Sequence, residues 1–175
     1  MPLTPDELAA YIAVHAPGAR LLRNVGDTPT VPAAAAALGV APDQIIKTLL
    51  FTVRGNAQGT DGEGAPPALV VVISHGERRV DKALLAAHLG VSRKSINLAT
   101  PPLVLERTGY AVGGVPPFGH ATPLPVLLDA AVADAAARFG GHLYGGGGDD
   151  HTMLQLTLDD LMRLCTPTVL ALSSA

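Results

Sequence analysis

Two apolar, β-rich runs constrain this chain more than anything else in it: Ile45–Val53 and Ala68–Ser74. Each has the length of one strand. Each is nearly continuous in aliphatic and β-branched residues, the pattern of a strand covered on both faces. Such a sheet needs flanking helices, and helix signals surround the runs. Thr4-Pro5-Asp6-Glu7 reads as a capping box with proline in the first turn, and predicts a helix to Val14 or His15, before Pro17-Gly18. Val31–Leu38 predicts a second helix, with Gly39 as its stop. Asp81 caps a third through Leu89, ended by Gly90. Ala130–Phe139 predicts a short helix or irregular turn, and Leu158–Cys165 a closing helix with Asp159 and Asp160 at its positive end. Further strands are expected at Arg20–Arg23, Pro125–Leu128, His142–Tyr144 and Met153–Thr157, with short extended pieces at Ser95–Leu98 and Leu103–Leu105. Residues 54–67, rich in glycine and proline, read as a hairpin loop between the two central runs. The order is irregular and no repeat is visible. The expected architecture is therefore a single α/β domain over residues 1–175, with a mixed, mostly antiparallel sheet and flanking helices.

Composition excludes several classes. Apolar residues make up 48% of 175 residues, which rules out a disordered chain and supplies a core for one domain. Aromatics are only 3%, so that core must be built from Ala, Val, Leu and Ile. A net charge of −3 provides no overall attraction for a polyanion and argues against a duplex-wrapping protein, though not against one that grips a nucleic-acid end. Few basic residues lie near any one point in the sequence, so weak affinity for a nucleic acid is expected. The lone Cys165 has no partner for an internal disulfide, the acidic N-terminus lacks a basic leader pattern, and no apolar run is long enough to span a bilayer. Those readings predict a cytoplasmic protein with no membrane association, as a monomer or weak homodimer.

Chemistry concentrates in a few places. Thr108-Gly109-Tyr110-Ala111-Val112-Gly113-Gly114-Val115-Pro116-Pro117-Phe118-Gly119-His120 alternates residues that permit positive φ with residues that fix φ and lack an amide donor. It reads either as an ordinary connection or as a rigid loop that binds through its main chain. Lys47, inside an apolar strand, is either an edge lysine that blocks sheet pairing or a cation placed for a phosphate or carbonyl oxygen. Thr48 alternates to the opposite face. The Gly145–Gly148 run lacks the Gly-Lys-Ser/Thr of a P-loop and reads as a flexible or tightly turned segment. His142, Asp149, Asp150 and His151 match no standard metal spacing, so a polar turn is the main reading, with His151 placed to hydrogen-bond a ligand. Cys165 reads as a buried small hydrophobe, and no nucleophile elbow is present.

Taken in order, these features resemble the family of YbaK and prolyl-tRNA synthetase-associated editing domains. Ala33–Leu38, Gly39-Val40 and Ile45-Ile46-Lys47-Thr48-Leu49-Leu50-Phe51 are similar to its helix and lysine-bearing strand. Val80-Asp81-Lys82 with Leu84-Leu85 and Leu89-Gly90 resembles the next helix, Gly113 and Pro117 fit its Gly-x-x-x-Pro loop, and Leu158-Asp159-Asp160-Leu161 its terminal helix. The resemblance implies an aminoacyl-tRNA deacylase that hydrolyses the ester of mischarged tRNA, with Ala- or Cys-charged proline tRNA foremost. It implies no metal or other cofactor, and assistance from a hydroxyl of the terminal ribose. Lys47 would hold the phosphate or carbonyl oxygen at the aminoacylated 3′ end. Gly113 and Gly114 would orient the acyl group and water, and Thr48, Val115, Pro117, Phe118 and His151 would line the substrate. The implied partners are the aminoacyl-tRNA 3′ end and a synthetase. Two rivals stand beside this reading: a non-catalytic tRNA- or synthetase-binding module of the same fold, and a metal-dependent hydrolase built on His142, Asp149 and His151.

Overall fold

The computed structural model describes residues 1–55 and 67–174. Most of the expected 54–67 loop therefore lies outside the described residues. The central runs form β2 (Ile46–Val53) and β3 (Ala68–His75), paired antiparallel along their full length with Ile46 opposite His75 and Val53 opposite Ala68. The five-stranded sheet they anchor has the order β4-β2-β3-β5-β8, where β4 is Ile96–Leu98, β5 Val126–Asp129 and β8 Thr168–Leu170. β4 is antiparallel to β2, while β5 and β8 join in parallel. A second, antiparallel sheet has the order β1-β7-β6, from Arg20–Leu22, Met153–Thr157 and His142–Gly146. A single parallel bridge, Ile45 to Tyr144, joins the two sheets.

Among the described residues, six helices pack around them: α1 (Pro5–His15), α2 (Val31–Leu38), α3 (Lys82–Leu89), α4 (Pro101–Thr108), α5 (Ala130–Arg138) and α6 (Leu158–Cys165). Their ends follow the sequence signals. Thr4 and Glu7 form the capping box of α1, Thr30 and Asp81 cap α2 and α3, and Gly39 and Gly90 end those helices in the left-handed conformation. Side chains alternate across β2 and β3. Ile46, Leu50, Val71 and Ile73 enter the main core with Leu8, Leu128 and Leu156, while Phe51, Val53, Val70 and Val72 pack on the other face with Leu85 and Ile96.

Three expectations are corrected. Leu103–Leu105 is not extended but lies in α4, because Pro101 and Pro102 occupy the first helical turn, where a missing N–H costs nothing. Gly145 and Gly146 are not a turn; they pair with Leu154 and Met153 in β6. The domain does not close on α6, since β8 follows and adds the edge strand beside β5. Among the described residues, no helix is long and apolar enough to cross a membrane.

Candidate active site

β2 is bonded to β3 along all eight residues but to β4 only over Phe51–Val53. Its other edge is therefore open from Ile46 to Leu49. A cleft of about 510 Å³ runs along this edge and is lined by every residue from Ile45 to Leu50, whichever face their side chains take. Lys47 is thus neither a guard on an outermost strand nor buried in the sheet interior. It sits where an internal strand has a locally exposed edge. Leu98, Ala99 and Val104 close one end of the cleft, and Thr28–Val31, Ala34 and Met153 close the other.

The Lys47 side chain crosses to the turn after β3, where Nζ donates to the Arg78 carbonyl at 2.6 Å. That bond uses one of three ammonium donors. Burial lowers the Lys47 pKa from its ordinary value; Arg79 pushes in the same direction and Glu77 opposes. Thr48 alternates toward the main core, and its Oγ1 is buried with no hydrogen-bond partner among the described residues.

The glycine-proline loop forms the facing wall through Val112, Gly113 and Val115. Gly113 adopts φ +100 and a Cβ there would meet nothing within 4 Å, so the glycine serves conformation rather than packing. Gly114 is closed in: its N–H donates to Ala111 O at 3.1 Å and its carbonyl accepts from Gly148 N at 2.8 Å. The amides of Gly113 and Val115 have no acceptor among the described residues. Several anchors hold the loop. Thr108 Oγ1 donates to Val104 O at 2.7 Å, the half-buried His120 ring lies 2.7 Å from Pro116 O, and Cys165 Sγ donates to Pro117 O at 3.3 Å. Phe118 enters the core and stacks with Tyr11 at 5.8 Å. Burial lowers the His120 pKa and pushes the Cys165 thiol up to about 12, so that thiol is not an activated nucleophile.

Of the residues singled out in the sequence, Lys47, Thr48, Gly113 and Val115 meet in the cleft. Gly114, Pro117 and Phe118 support the loop from behind. His151 is half exposed outside the cleft, paired with Asp27 at 3.3 Å and Asp150 at 3.2 Å. Its neighbour Asp150, not His151 itself, meets the cleft's margin, where the Asp150 carbonyl accepts from Thr28 Oγ1 at 3.3 Å. Among the described residues, no three His, Cys, Asp or Glu side chains gather as a metal-binding group. Sequence reasoning missed the Thr28–Val31, Ala34 and Met153 wall and the Leu98–Ala99 end. Their residue types are those of any core, and only the closure of β1 on β7 and of β4 on β2 brings them together.

Residues 25–164, which contain every one of these cleft residues, match the aminoacyl-tRNA editing domain family. The chain belongs to that family. It is 30% identical over 129 residues to the multifunctional Ser/Thr-tRNA deacylase ProXp-y of Escherichia coli K12, a match spanning 74% of this chain and 69% of that one. It is 30% identical over 118 residues to the proline–tRNA ligase of Thermotoga neapolitana, spanning 67% of this chain but only 16% of the ligase. A solved structure described as a candidate trans-editing enzyme for prolyl tRNA synthetase superposes with a TM-score of 0.79 at 25% identity, covering 100% of this chain and 99% of the other.

Proposed function

We propose that this editing domain hydrolyses the ester joining a small, mismatched amino acid to the 3′-terminal ribose of tRNA. The observation that carries the reading is the meeting in one cleft of Lys47, on the open edge of β2, with the unengaged amides of Gly113 and Val115. Water adds to the ester carbonyl, and negative charge develops on its oxygen. Fixed N–H donors aimed at such an oxygen stabilise it without reorganising at the moment of reaction. Lys47 holds the terminal phosphate or carbonyl oxygen with its two remaining ammonium donors. A neighbouring ribose hydroxyl relays the proton from the attacking water to the leaving ribose oxygen, giving free amino acid and uncharged tRNA. No protein nucleophile enters the step, which agrees with the raised thiol of Cys165.

The aliphatic end of the cleft, with Val31, Ala34, Ile45 and Met153, suits a short side chain. A synthetase gains only about 1–3 kcal/mol from one methylene, so small misfits are the ones that need a second sieve. The substrates to try are Ala and Cys on proline tRNA, and then Ser and Thr, the amino acids that the name of the Escherichia coli relative carries. The domain acts in trans in the cytoplasm, on tRNA that a synthetase has released.

The test is release of amino acid from that panel by wild type and Lys47→Ala. Release by wild type, lost by at least about a hundredfold in a variant with unchanged melting temperature, is expected if a charged contact is made in the transition state. Equal turnover by the two proteins would overturn the assignment. Release abolished by a strong chelator would transfer the chemistry to a metal.

A further inference from the structure

Five of the twelve lysines and arginines fall between Arg78 and Lys94, on and around α3. Arg78 and Arg79 lie in the turn before it, Lys82 is its first residue, and Arg93 and Lys94 lie in the single helical turn after it. From Glu77 to Ser95 there are five cations and two acids, a local excess of positive charge in a chain of net charge −3. One of the acids, Asp81, is committed to capping α3, accepting from Ala83 N at 2.8 Å and Leu84 N at 3.4 Å.

These cations differ from most others in the molecule. Arg23, Arg138 and Arg163 form ion pairs with Asp6, Asp43 and Asp160, and Arg20 donates to Gln155. None of Arg78, Arg79, Lys82, Arg93 and Lys94 has an ion pair or a side-chain hydrogen bond among the described residues. Arg79, Arg93 and Lys94 are exposed, and Arg78 and Lys82 half-buried. Asp43 and Glu77 lie beside Arg78 and Arg79, but cations still outnumber acids on this surface, and a polyanion relieves the repulsion among those left over.

Both ends of this surface adjoin the cleft. At one end, the Arg78 carbonyl accepts the Lys47 ammonium. At the other, the Arg93–Ser95 turn runs directly into β4, whose last residue, Leu98, lines the cleft. The eight residues of α3 set the two cationic turns about 12 Å apart. A nucleic-acid backbone presents several phosphates over that span.

We propose that α3 and its two flanking turns form the docking surface for the phosphate backbone of the tRNA acceptor end, whose terminal ester enters the cleft beside Lys47. The surface recognises phosphate rather than bases, so it holds any tRNA and leaves selection to the cleft. This inference rests on the deacylase reading for its orientation, but not for its detection.

The decisive experiment compares wild type with the double variant Arg93→Gln/Lys94→Gln on two substrates: an intact charged tRNA, and the same amino acid esterified to the terminal adenosine alone. With intact tRNA, KM is expected to rise roughly tenfold, and the slope of log(kcat/KM) against log salt to flatten by about two, one for each lost phosphate contact. Hydrolysis of the adenosine ester is expected to be unchanged. An unchanged KM and salt slope on tRNA would overturn the proposal, including the case where the variant instead loses affinity for a synthetase. An equal loss on both substrates would also overturn it, by placing these residues at the cleft. If wild type hydrolyses neither substrate, the deacylase reading fails by itself. Fluorescence anisotropy with uncharged tRNA then decides the docking surface: weaker binding by the variant supports it, and equal binding overturns it.

Discussion

Two glycine-rich segments face each other across one margin of the cleft, and they use glycine for opposite reasons. In the loop, Gly113 has φ +100 and open space where a side chain would be. In the Gly145–Gly148 run, the dominant need is close approach, joined only at Gly148 by a positive φ of +106. A Cβ on Gly146 would collide with the Val115 carbonyl, one on Gly147 would lie 2.5 Å from Thr152 O, and one on Gly148 would lie 2.8 Å from Pro5 N. Gly114 belongs with the second group, since its Cβ would lie 2.6 Å from Asp149 N. The run that looks most flexible in sequence is thus the packed one. It is the backing plate against which the loop is pressed, with Gly148 N donating to Gly114 O. A glycine-rich string therefore reports a conformational need or a packing need, and composition alone does not separate them.

Substitution separates them. Gly146→Ala is expected to cost about 3 kcal/mol, because the atoms it meets are backbone and have nowhere to move. Thermal unfolding of this variant should show a melting temperature lower by roughly 6–12 °C. Deacylation should fall with it as the loop is pushed off its support, and a full-height melting temperature would show that the two segments are not in contact. Gly113→Ala should cost less, about 1–2 kcal/mol of backbone strain. Its larger effect should be on turnover, since Gly113 lines the cleft; a variant with normal turnover would remove the Gly113 amide from the proposed oxyanion site. Gly18→Ala is the control at the other extreme. Its backbone is not left-handed and a Cβ meets nothing within 4 Å, so stability should rise by about 0.5 kcal/mol through the unfolded chain.

The same contrast explains how much could be read from the sequence. Helix ends were legible wherever one residue carries the local physics, as with the Thr4–Glu7 capping box, Asp81, Gly39 and Gly90. The two central strands were legible from their continuous apolar runs. α4 was not, because Pro101-Pro102 signals a break and says nothing about what starts after it. β8 was not, because Thr168–Leu170 is three residues long and is defined by its partner β5 rather than by its own pattern. At the site, Lys47 stood out as a charge in an apolar strand, and Gly113 through the glycine-proline alternation. The cleft's far wall did not, because Ala34 and Met153 are ordinary core residues until β1 and β7 close. His120 and Cys165 brace the loop through the carbonyls of Pro116 and Pro117, and no local spacing signals such contacts.

The pairing of β1 with β7 also bears on how the chain is made. Arg20 meets Gln155 across 135 residues of sequence. At synthesis speeds of about 5–20 residues per second, the β1 segment emerges on the order of ten seconds before its partner exists. Throughout that interval α1 has no second sheet to lean on. The wall that holds Met153 is among the last parts of the cleft to be delivered, so a nascent domain carries Lys47 well before the cleft around it is complete.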